Sequence, residues 1–315
     1  MEPLAKILRD RQKLDGGWSA WPTGPADTES TAWAVLALGS GAPGSPTGRQ
    51  VAGTADDESL SAGIEWLVRG QRPDGGWSWT AGVPRSDWST APAVLALVGC
   101  GEGGESVSRA GHWLLGERGR RAPFIARLLV RVFRLPLDIE LDPALRGWPW
   151  VPDTSGWVEP TSWALMALRA TRGLLPADEV RHCLDDGEAL LLDRSCVSGG
   201  WNYGNRTVLG DDLWAYPDTT AIALLGLASR GDHGAVRSGL KALDAALAGP
   251  ASRLSLALAS LAIRTHGRDA SGILARLLER WTEPDELATT RTVALSLLAF
   301  RDVLPPGIER EQGER

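Results

Sequence analysis

Four short tryptophan-rich segments recur along the chain, and each is followed by a threonine that opens an apolar Ala/Leu run. The segments are Gly-Trp18-Ser-Ala-Trp21, Gly-Trp77-Ser-Trp79, Gly-Trp148-Pro-Trp150 and Gly-Trp201-Asn-Tyr203. The threonine follows the first tryptophan by thirteen residues in three copies and by nineteen in the fourth, as Thr31, Thr90, Thr161 and Thr220. Repeats on this scale are typical of stacked or ring-closed helical hairpins.

The repeats continue through most of the 315 residues, which favours one repeat domain over residues 1–315 rather than two domains. A hydrophobic content of 43% is enough to bury a large core and excludes a disordered chain. An insert at about 119–146 interrupts the repeats, and residues 303–315 form a short polar tail.

Charge and cysteine content narrow the possible partners and the compartment. A net charge of -6 argues against a nucleic-acid partner, because a nucleic-acid binder needs a basic face. The odd number of cysteines, without CxxC spacing, favours a reduced cytoplasmic compartment. The chain has no apolar leader and no uncharged run of about 18 apolar residues, so we do not expect it to span a membrane.

Two kinds of helical segment alternate along the chain. Amphipathic segments, which predict outer helices, cover 2–12, 56–71, 105–118, 177–193, 232–248 and 268–281. Ala/Leu segments, which predict helices buried on all sides, cover 29–40, 89–100, 160–171, 218–230, 252–265 and 286–301. Six of each predict an all-α fold, an (α/α)6 toroid with parallel inner helices around a central cavity. The four threonines should lie at the starts of inner helices, and strands should be few and short.

The first two segments extend to a longer motif. Gln12-Lys-Leu-Asp15-Gly-Gly-Trp18 and Gln71-Arg-Pro-Asp74-Gly-Gly-Trp77 resemble the Gln-Trp motif, QxxDGxW, of squalene–hopene and oxidosqualene cyclases. The same repeat, loosened, occurs in protein prenyltransferase β-subunits. The resemblance covers roughly residues 10–230 and implies an α/α toroid and a polyisoprenoid substrate.

The resemblance also bears on single residues and on cofactors. In the cyclases an Asp-rich motif carries the proton donor, and the matching stretch here keeps its middle acid as Asp218, with Trp214 four residues earlier. The prenyltransferases bind zinc through an Asp-x-Cys pair and a His. This chain has no Asp-x-Cys, and its four histidines lie on or near outer segments, so we expect neither a metal nor a cofactor.

Three acids share one position in the repeat. Two residues before the threonine stand Glu29, Trp88, Glu159 and Asp218, and in a toroid these side chains would gather at one mouth. The N-terminal ends of helices favour carboxylates, and carboxylates brought close must share protons, which suits an acid that protonates an alkene. N-capping is the competing explanation for Asp218, but glutamate is a poor N-cap. We therefore predict Asp218 as the catalytic proton donor, tuned by Glu159 and Glu29.

Five tryptophans are candidates for contact with the substrate, because indole faces stabilise cations. Trp33 and Trp163 share a column inside inner helices, and the others lie near the mouth as Trp88, Trp157 and Trp214. Core packing is the alternative explanation for each of them.

The insert contains a basic amphipathic stretch at residues 120–134. Phe124, Phe133 and aliphatic residues form one helical stripe, and arginines lie off it. This composition is typical of a helix that lies on a membrane surface, which would make the protein peripheral on the inner membrane face. A helix packed on the rim of the toroid explains the pattern equally well.

The residues support three hypotheses of function. The first is a terpene cyclase-like enzyme that acts on a polyprenyl substrate by proton-initiated cyclisation or isomerisation. The second is a non-catalytic polyprenyl-binding or partner subunit, paired with a second toroid-domain protein. The third is an (α/α)6 carbohydrate-active enzyme whose acids form a general acid/base pair.

Overall fold

Twelve α-helices make up almost all of the regular structure in the part of the chain that the computed structural model describes, which is residues 1–40, 54–102, 104–119, 141–142, 144–208, 211–282 and 287–308. The outer helices are α1 (Glu2–Arg11), α3 (Thr54–Gly70), α5 (Glu105–Gly116), α7 (Ala177–Asp193), α9 (Gly234–Leu247) and α11 (Ser271–Arg280). The inner helices are α2 (Thr28–Gly39), α4 (Thr90–Gly99), α6 (Val158–Thr171), α8 (Pro217–Gly226), α10 (Arg253–Thr265) and α12 (Thr290–Arg301).

The inner helices form a closed ring. Each packs against the next in chain order, and α12 packs back against α2. Their Ala and Leu side chains are buried around the whole helix, as the sequence pattern predicts for the inner layer of a toroid. The (α/α)6 toroid predicted from the repeats is confirmed.

Each of the four repeat threonines lies within the first turn of an inner helix and binds its tryptophan segment in the same way. The Thr31 hydroxyl accepts a hydrogen bond from the backbone N–H of Trp18 at 2.9 Å. The Thr90–Trp77, Thr161–Trp148 and Thr220–Trp201 pairs repeat this bond at 2.9 Å. The spacing of thirteen or nineteen residues is therefore set by the loop that joins each motif tryptophan to the inner helix that follows it.

The motif tryptophans tie each outer helix to the loop that follows it. The buried indole N–H of Trp18 donates to the Leu8 carbonyl at 2.6 Å, and Trp77, Trp148 and Trp201 make the equivalent bond to Leu67, Leu114 and Leu191. A buried donor without a partner is costly, so these bonds fix the ring orientation.

The remaining motif residues shape the turn. The Gln12 amide donates to the carbonyls of Gly16 and Ser59, which links the turn to the next outer helix, α3. Gly16 has a φ of 96°, in the left-handed region, and a Cβ there would lie 2.6 Å from the Ala62 carbonyl oxygen. Only glycine meets both conditions without strain.

The other elements are small. Helix α8 ends at Gly226 and is followed by a 3-10 turn at Ala228–Arg230, where the sequence predicted one continuous helix. Strands β1 (Thr207–Val208) and β2 (Asp211–Asp212) form a two-residue antiparallel hairpin in the lengthened fourth loop. The membrane stretch predicted at residues 120–134 lies outside the described residues. Within the described ranges, no helix combines the length and the apolarity needed to cross a bilayer.

Candidate functional site

The three acids of the shared column all occupy the second residue of an inner helix. Glu29 follows Thr28 in α2, Glu159 follows Val158 in α6, and Asp218 follows Pro217 in α8. Asp218 is therefore not an N-cap, because Tyr216 holds that position. The capping explanation of Asp218 is wrong, although its carboxylate still lies at the favourable end of the helix dipole.

An arginine from the last inner helix joins two of these acids. Arg291 is the second residue of α12, and its Nη1 lies 3.0 Å from Glu29 Oε1. Its Nη2 lies 2.6 Å from Glu159 Oε1. The side chains of Glu29, Glu159 and Arg291 are 16%, 11% and 17% exposed, so this cluster is largely shielded from water. In the ring order, α12 lies beside α2 and opposite α6, so Arg291 spans the mouth.

Sequence reasoning missed Arg291 because the last two helix pairs lack the tryptophan segment on which the repeats were aligned. A different signal marks its position. The Thr28 hydroxyl donates to the carbonyl of Ser78, and the Thr290 hydroxyl donates to the carbonyl of Ser19. Thr28-Glu29 and Thr290-Arg291 are thus equivalent pairs, and an alignment on Thr followed by a charged residue would have placed Arg291 in the acidic column.

Two of the five candidate tryptophans lie beneath the arginine. The rings of Trp33 and Trp163 meet edge to face with centroids 4.9 Å apart, although α2 and α6 are not neighbours in the ring. The Trp163 indole N–H donates to Glu159 Oε1 at 3.2 Å, and Trp33 makes the equivalent contact with Glu29 at 3.4 Å. The Arg291 guanidinium carbon lies 5.9 Å from the Trp163 ring centroid, within reach of a cation–π interaction.

The other three candidate tryptophans lie apart from this cluster. Trp88 contacts Trp150 edge to face at 4.7 Å and lines a small cleft between α4 and α6. Trp157 is half-buried and covers the backbone of Gly204. Trp214 is 81% exposed, so in this structure it contributes to the surface rather than to an enclosed cavity.

The electrostatics of the mouth reflect burial and crowding. Burial raises the pKa of Glu29 to about 7; the Arg291 charge opposes this rise, and Glu159 and Asp27 add to it. For Arg291, burial works against the charged form, but Glu159, Glu29 and Asp218 together hold the pKa of its guanidinium above the ordinary value. Asp218 is thus close enough for its negative charge to favour the charged form of Arg291.

Asp218 differs from the two glutamates in its bonding. Its Oδ1 is buried and, among the described residues, has no hydrogen-bond partner. Buried polar atoms are nearly always bonded, so an atom left without a partner marks a place where a ligand or a water molecule fits. The mouth therefore contains a glutamate that titrates near neutrality and a half-buried aspartate that is open to a further contact.

Exposed aromatic rings lie around the same mouth. The second aromatic residue of each motif stands on a loop that leads into an inner helix, and Trp21, Trp79 and Tyr203 are 51%, 46% and 56% exposed. Tyr203 lies 5.4 Å from Tyr216, which is two residues before Asp218. The first tryptophan of each motif is structural, whereas Trp79 and Tyr203 lie beside the acids, because their carbonyls accept from the backbone N–H groups of Thr28 and Val158, the residues before Glu29 and Glu159.

The residues in the described ranges contain no group of three or more metal-ligating side chains. The four histidines are scattered over different elements. His112 and His182 are exposed on α5 and α7, His233 caps α9, and the His266 ring lies 3.0 Å from the Leu224 carbonyl.

Known proteins with this fold include terpene cyclases. The type II terpene cyclase MstE from Scytonema superposes with a TM-score of 0.57 at 15% identity, covering 95% of this chain and 96% of that chain. The ent-copalyl diphosphate synthase from Streptomyces platensis gives 0.54 at 18% identity, over 87% of this chain and 50% of that chain. A protein from Actinoplanes gives 0.54 at 18% identity and covers 95% of this chain.

Sequence similarity is local. A stretch of 72 residues is 40% identical to drimenyl diphosphate synthase of Streptantibioticus cattleyicolor; it spans 23% of this chain and 11% of that synthase. No family model matches the chain. The chain shares its fold with the type II terpene cyclases, which is the fold that the resemblance of its Gln-Trp motifs implied.

Proposed function

We propose that this chain is a terpene cyclase-like enzyme that acts on a polyprenyl substrate by proton-initiated cyclisation or isomerisation. The observation that carries the proposal is the meeting of three acids at one mouth, one of which, Asp218, has a buried carboxyl oxygen without a partner. The names of the proteins that share the fold, and of the synthase with the similar stretch, support the same class of substrate.

In the proposed reaction, Asp218 donates the proton. The carboxylic acid transfers H⁺ to one carbon of a terminal alkene, the π electron pair forms the new C–H bond, and the other alkene carbon becomes a tertiary cation. In a cyclisation, a second alkene of the same chain attacks this cation and closes a ring. The final cation loses a proton to a water molecule, which leaves an isomer of the substrate, and the Asp218 carboxylate regains a proton from solvent.

The surrounding groups have supporting roles in this proposal. Glu29, with a pKa of about 7, exchanges protons at neutral pH and can restore the acid form of the site. The exposed aromatic rings of Trp79, Tyr203 and Tyr216 offer π faces to an isoprenoid chain and to a developing cation.

The proposal is tested by turnover of prenyl diphosphates of increasing length and of squalene, with products identified by mass spectrometry. Asp218→Asn keeps the shape of the side chain but has no acidic proton, so we expect about a hundredfold loss of turnover or more. Asp211→Asn, on the exposed hairpin, is the matched control and should leave turnover unchanged. Full activity of Asp218→Asn would exclude Asp218 as the donor.

A non-catalytic polyprenyl-binding or partner subunit is the second candidate. The Trp33–Trp163 contact reaches across the ring, and Arg291 pairs with both glutamates, which leaves less of the mouth for chemistry. In this alternative, a second toroid-domain protein would bind over the mouth. Lipid extracted from the purified protein, without turnover of any substrate, would favour it.

The carbohydrate-active alternative has less support. A general acid/base pair needs two carboxyl groups that are free to exchange protons with the substrate and water. Glu29 and Glu159 share one guanidinium instead.

A further inference from the structure

We infer that Arg291 is a positioning residue for the proposed chemistry, which holds Glu29 and Glu159 together at the mouth by binding both carboxylates and limits the protons that the acids share. The inference rests on the proposed function for its role in a reaction, but the geometry of the cluster carries it independently. Nothing in the repeat motif requires a cation at this position.

Helix stability does not explain an arginine at this place. Arg291 is the second residue of α12, where the positive end of the helix dipole disfavours a cation. The equivalent residues in α2, α6 and α8 are acids, which that end of the helix favours. The arginine therefore does not stabilise its own helix, and its ion-pair partners explain its position.

The partners are the two glutamates. Both terminal nitrogens are engaged, Nη1 with Glu29 at 3.0 Å and Nη2 with Glu159 at 2.6 Å. The planar fork of the guanidinium fixes the directions of both bonds, which a lysine ammonium cannot do as strictly. Helices α6 and α12 lie opposite each other in the ring and are not neighbours. The bridge therefore fixes Glu159 relative to α12 across the mouth.

The bridge also holds the indole pair. Each glutamate accepts a contact from the tryptophan one turn further along its own helix, Trp33 for Glu29 and Trp163 for Glu159. The two rings meet at 4.9 Å. Fixing both carboxylates with one guanidinium therefore also fixes the floor of the mouth.

Arg291 is the positive charge that opposes proton uptake by Glu29. The groups that face Glu29 are Arg291 from α12, Glu159 from α6, and Asp27, the N-cap of α2; Asp218 from α8 acts on Arg291. Burial, Glu159 and Asp27 favour the protonated form of Glu29, and Arg291 disfavours it. Removal of the arginine charge should therefore move the titration of Glu29 to higher pH.

The test is an infrared titration of the carboxyl groups in the protein without substrate, with the Glu29 band assigned by its loss in Glu29→Gln. In the unmodified protein we expect a midpoint near pH 7. In Arg291→Gln the midpoint should rise by about one pH unit or more, and in Arg291→Lys it should stay nearer the original value. Arg268→Gln, which removes an exposed pair with Asp244, is the control and should not move it.

A second variant tests the same coupling if Arg291→Gln does not fold. In Glu159→Gln, Arg291 has one carboxylate partner left and a like charge is gone, so the Glu29 midpoint should fall below that of the unmodified protein. An unchanged midpoint in Arg291→Gln, an equal shift in Arg268→Gln, or an unchanged midpoint in Glu159→Gln would overturn the role of Arg291.

Turnover separates this inference from the proposed function. If a substrate is turned over, the pH at half-maximal rate should shift in Arg291→Gln in the same direction as the Glu29 midpoint. A shifted midpoint in a protein that turns over no substrate supports the bridge that Arg291 makes between Glu29 and Glu159 and rejects the proposed chemistry. Turnover with an identical pH profile in Arg291→Gln rejects the positioning role of Arg291 and leaves Asp218 as the proposed donor.

Discussion

Four of the inner helices carry a charged residue at their second position: Arg291 pairs with Glu29 and Glu159, and the charge of Asp218 acts on Arg291. Glu29, Glu159 and Asp218 lie at helix ends that favour carboxylates, whereas Arg291 lies at an end that disfavours a cation. One arginine among three acids leaves an excess of negative charge in a half-buried site, so at least one acid should hold its proton near neutrality. Glu29, with a pKa of about 7, fits that description.

This raised pKa predicts how the stability of the protein depends on pH. The folded pKa of Glu29 lies above its unfolded value of 4.5, so the folded state binds the extra proton between about pH 4.5 and 7. Stability should therefore fall as pH rises through this window. At 1.36 kcal/mol per unit, the contribution of Glu29 is at most roughly 3 kcal/mol.

Glu29→Gln removes this titration. Urea denaturation at a series of pH values should show a flatter dependence for Glu29→Gln between pH 4.5 and 7 than for the unmodified protein. The control is Glu2→Gln, in an exposed pair with Arg9, which should follow the unmodified curve. Parallel curves for the unmodified protein and Glu29→Gln would show that folding adds no proton to Glu29 in this window and would contradict the raised pKa.

At this scale the sequence predicted part of the site. The acidic column was visible because the repeats align on their threonines, and the structure brings Glu29 and Glu159 together through Arg291. Arg291 itself was not predicted, because its helix follows no tryptophan segment. The exposure of Trp214 was also not predictable, since it depends on how the long fourth loop folds.

At the scale of the elements, an outer helix that follows a motif tryptophan must leave room for its ring. In α3, α7 and α9 a glycine provides it. A Cβ built on Gly63 would lie 2.7 Å from Cζ3 of Trp18, and one on Gly187 would lie 2.9 Å from Cζ3 of Trp148; Gly239 faces Trp201 in the same way. The tryptophan ring thus packs against the helix backbone itself.

A methyl group at such a position should be costly. We expect Gly63→Ala to destabilise the protein by about 1–3 kcal/mol, because the gain in helix propensity is smaller than the cost of overpacking. Gly272→Ala in α11 is the matched control, since a Cβ there meets nothing within 4 Å, and it should be neutral or stabilising by up to about 1 kcal/mol. Denaturation midpoints of the two variants measure this, and equal effects would contradict tight packing at Gly63.

Most of the elements could be predicted from the sequence, because inner and outer helices differ in composition and the same pattern recurs in each repeat. The residues at which the helices begin and end were harder to predict. Helix α12 begins at Thr290, capped by Thr289, rather than at residue 286. Helix α8 ends at Gly226, whose backbone packs directly on Ser162 of α6, a contact between distant residues that no local pattern encodes.

At the scale of the whole molecule, the repeats close into a ring in which one face carries the acids and the exposed aromatic residues. The backbone N–H of Thr290 donates to the Ala20 carbonyl at 2.9 Å, which joins the last repeat to the first. The amphipathic stretch at 120–134 belongs to the insert between the second and third tryptophan segments, and its membrane contact stays a prediction from the sequence.

If residues 120–134 bind a bilayer, the protein should float with anionic liposomes at low salt, because the arginines attract the lipid headgroups and the apolar stripe inserts. A Phe124→Asp, Phe133→Asp double variant should lose flotation while keeping the helical circular dichroism of the unmodified protein. Flotation that is absent from the unmodified protein, or retained by the double variant, would assign the stripe to packing on the toroid.

In the proposed reaction, a proton from Asp218 starts the chemistry at the mouth. Incubation of the protein with its polyprenyl substrate in D₂O tests this directly, since the initiating proton comes from a carboxyl group that exchanges with solvent. We predict one deuterium in the product at the protonated alkene carbon, and no labelled product from Asp218→Asn. Product without deuterium, or labelled product formed equally well by Asp218→Asn, would contradict Asp218 as the proton donor.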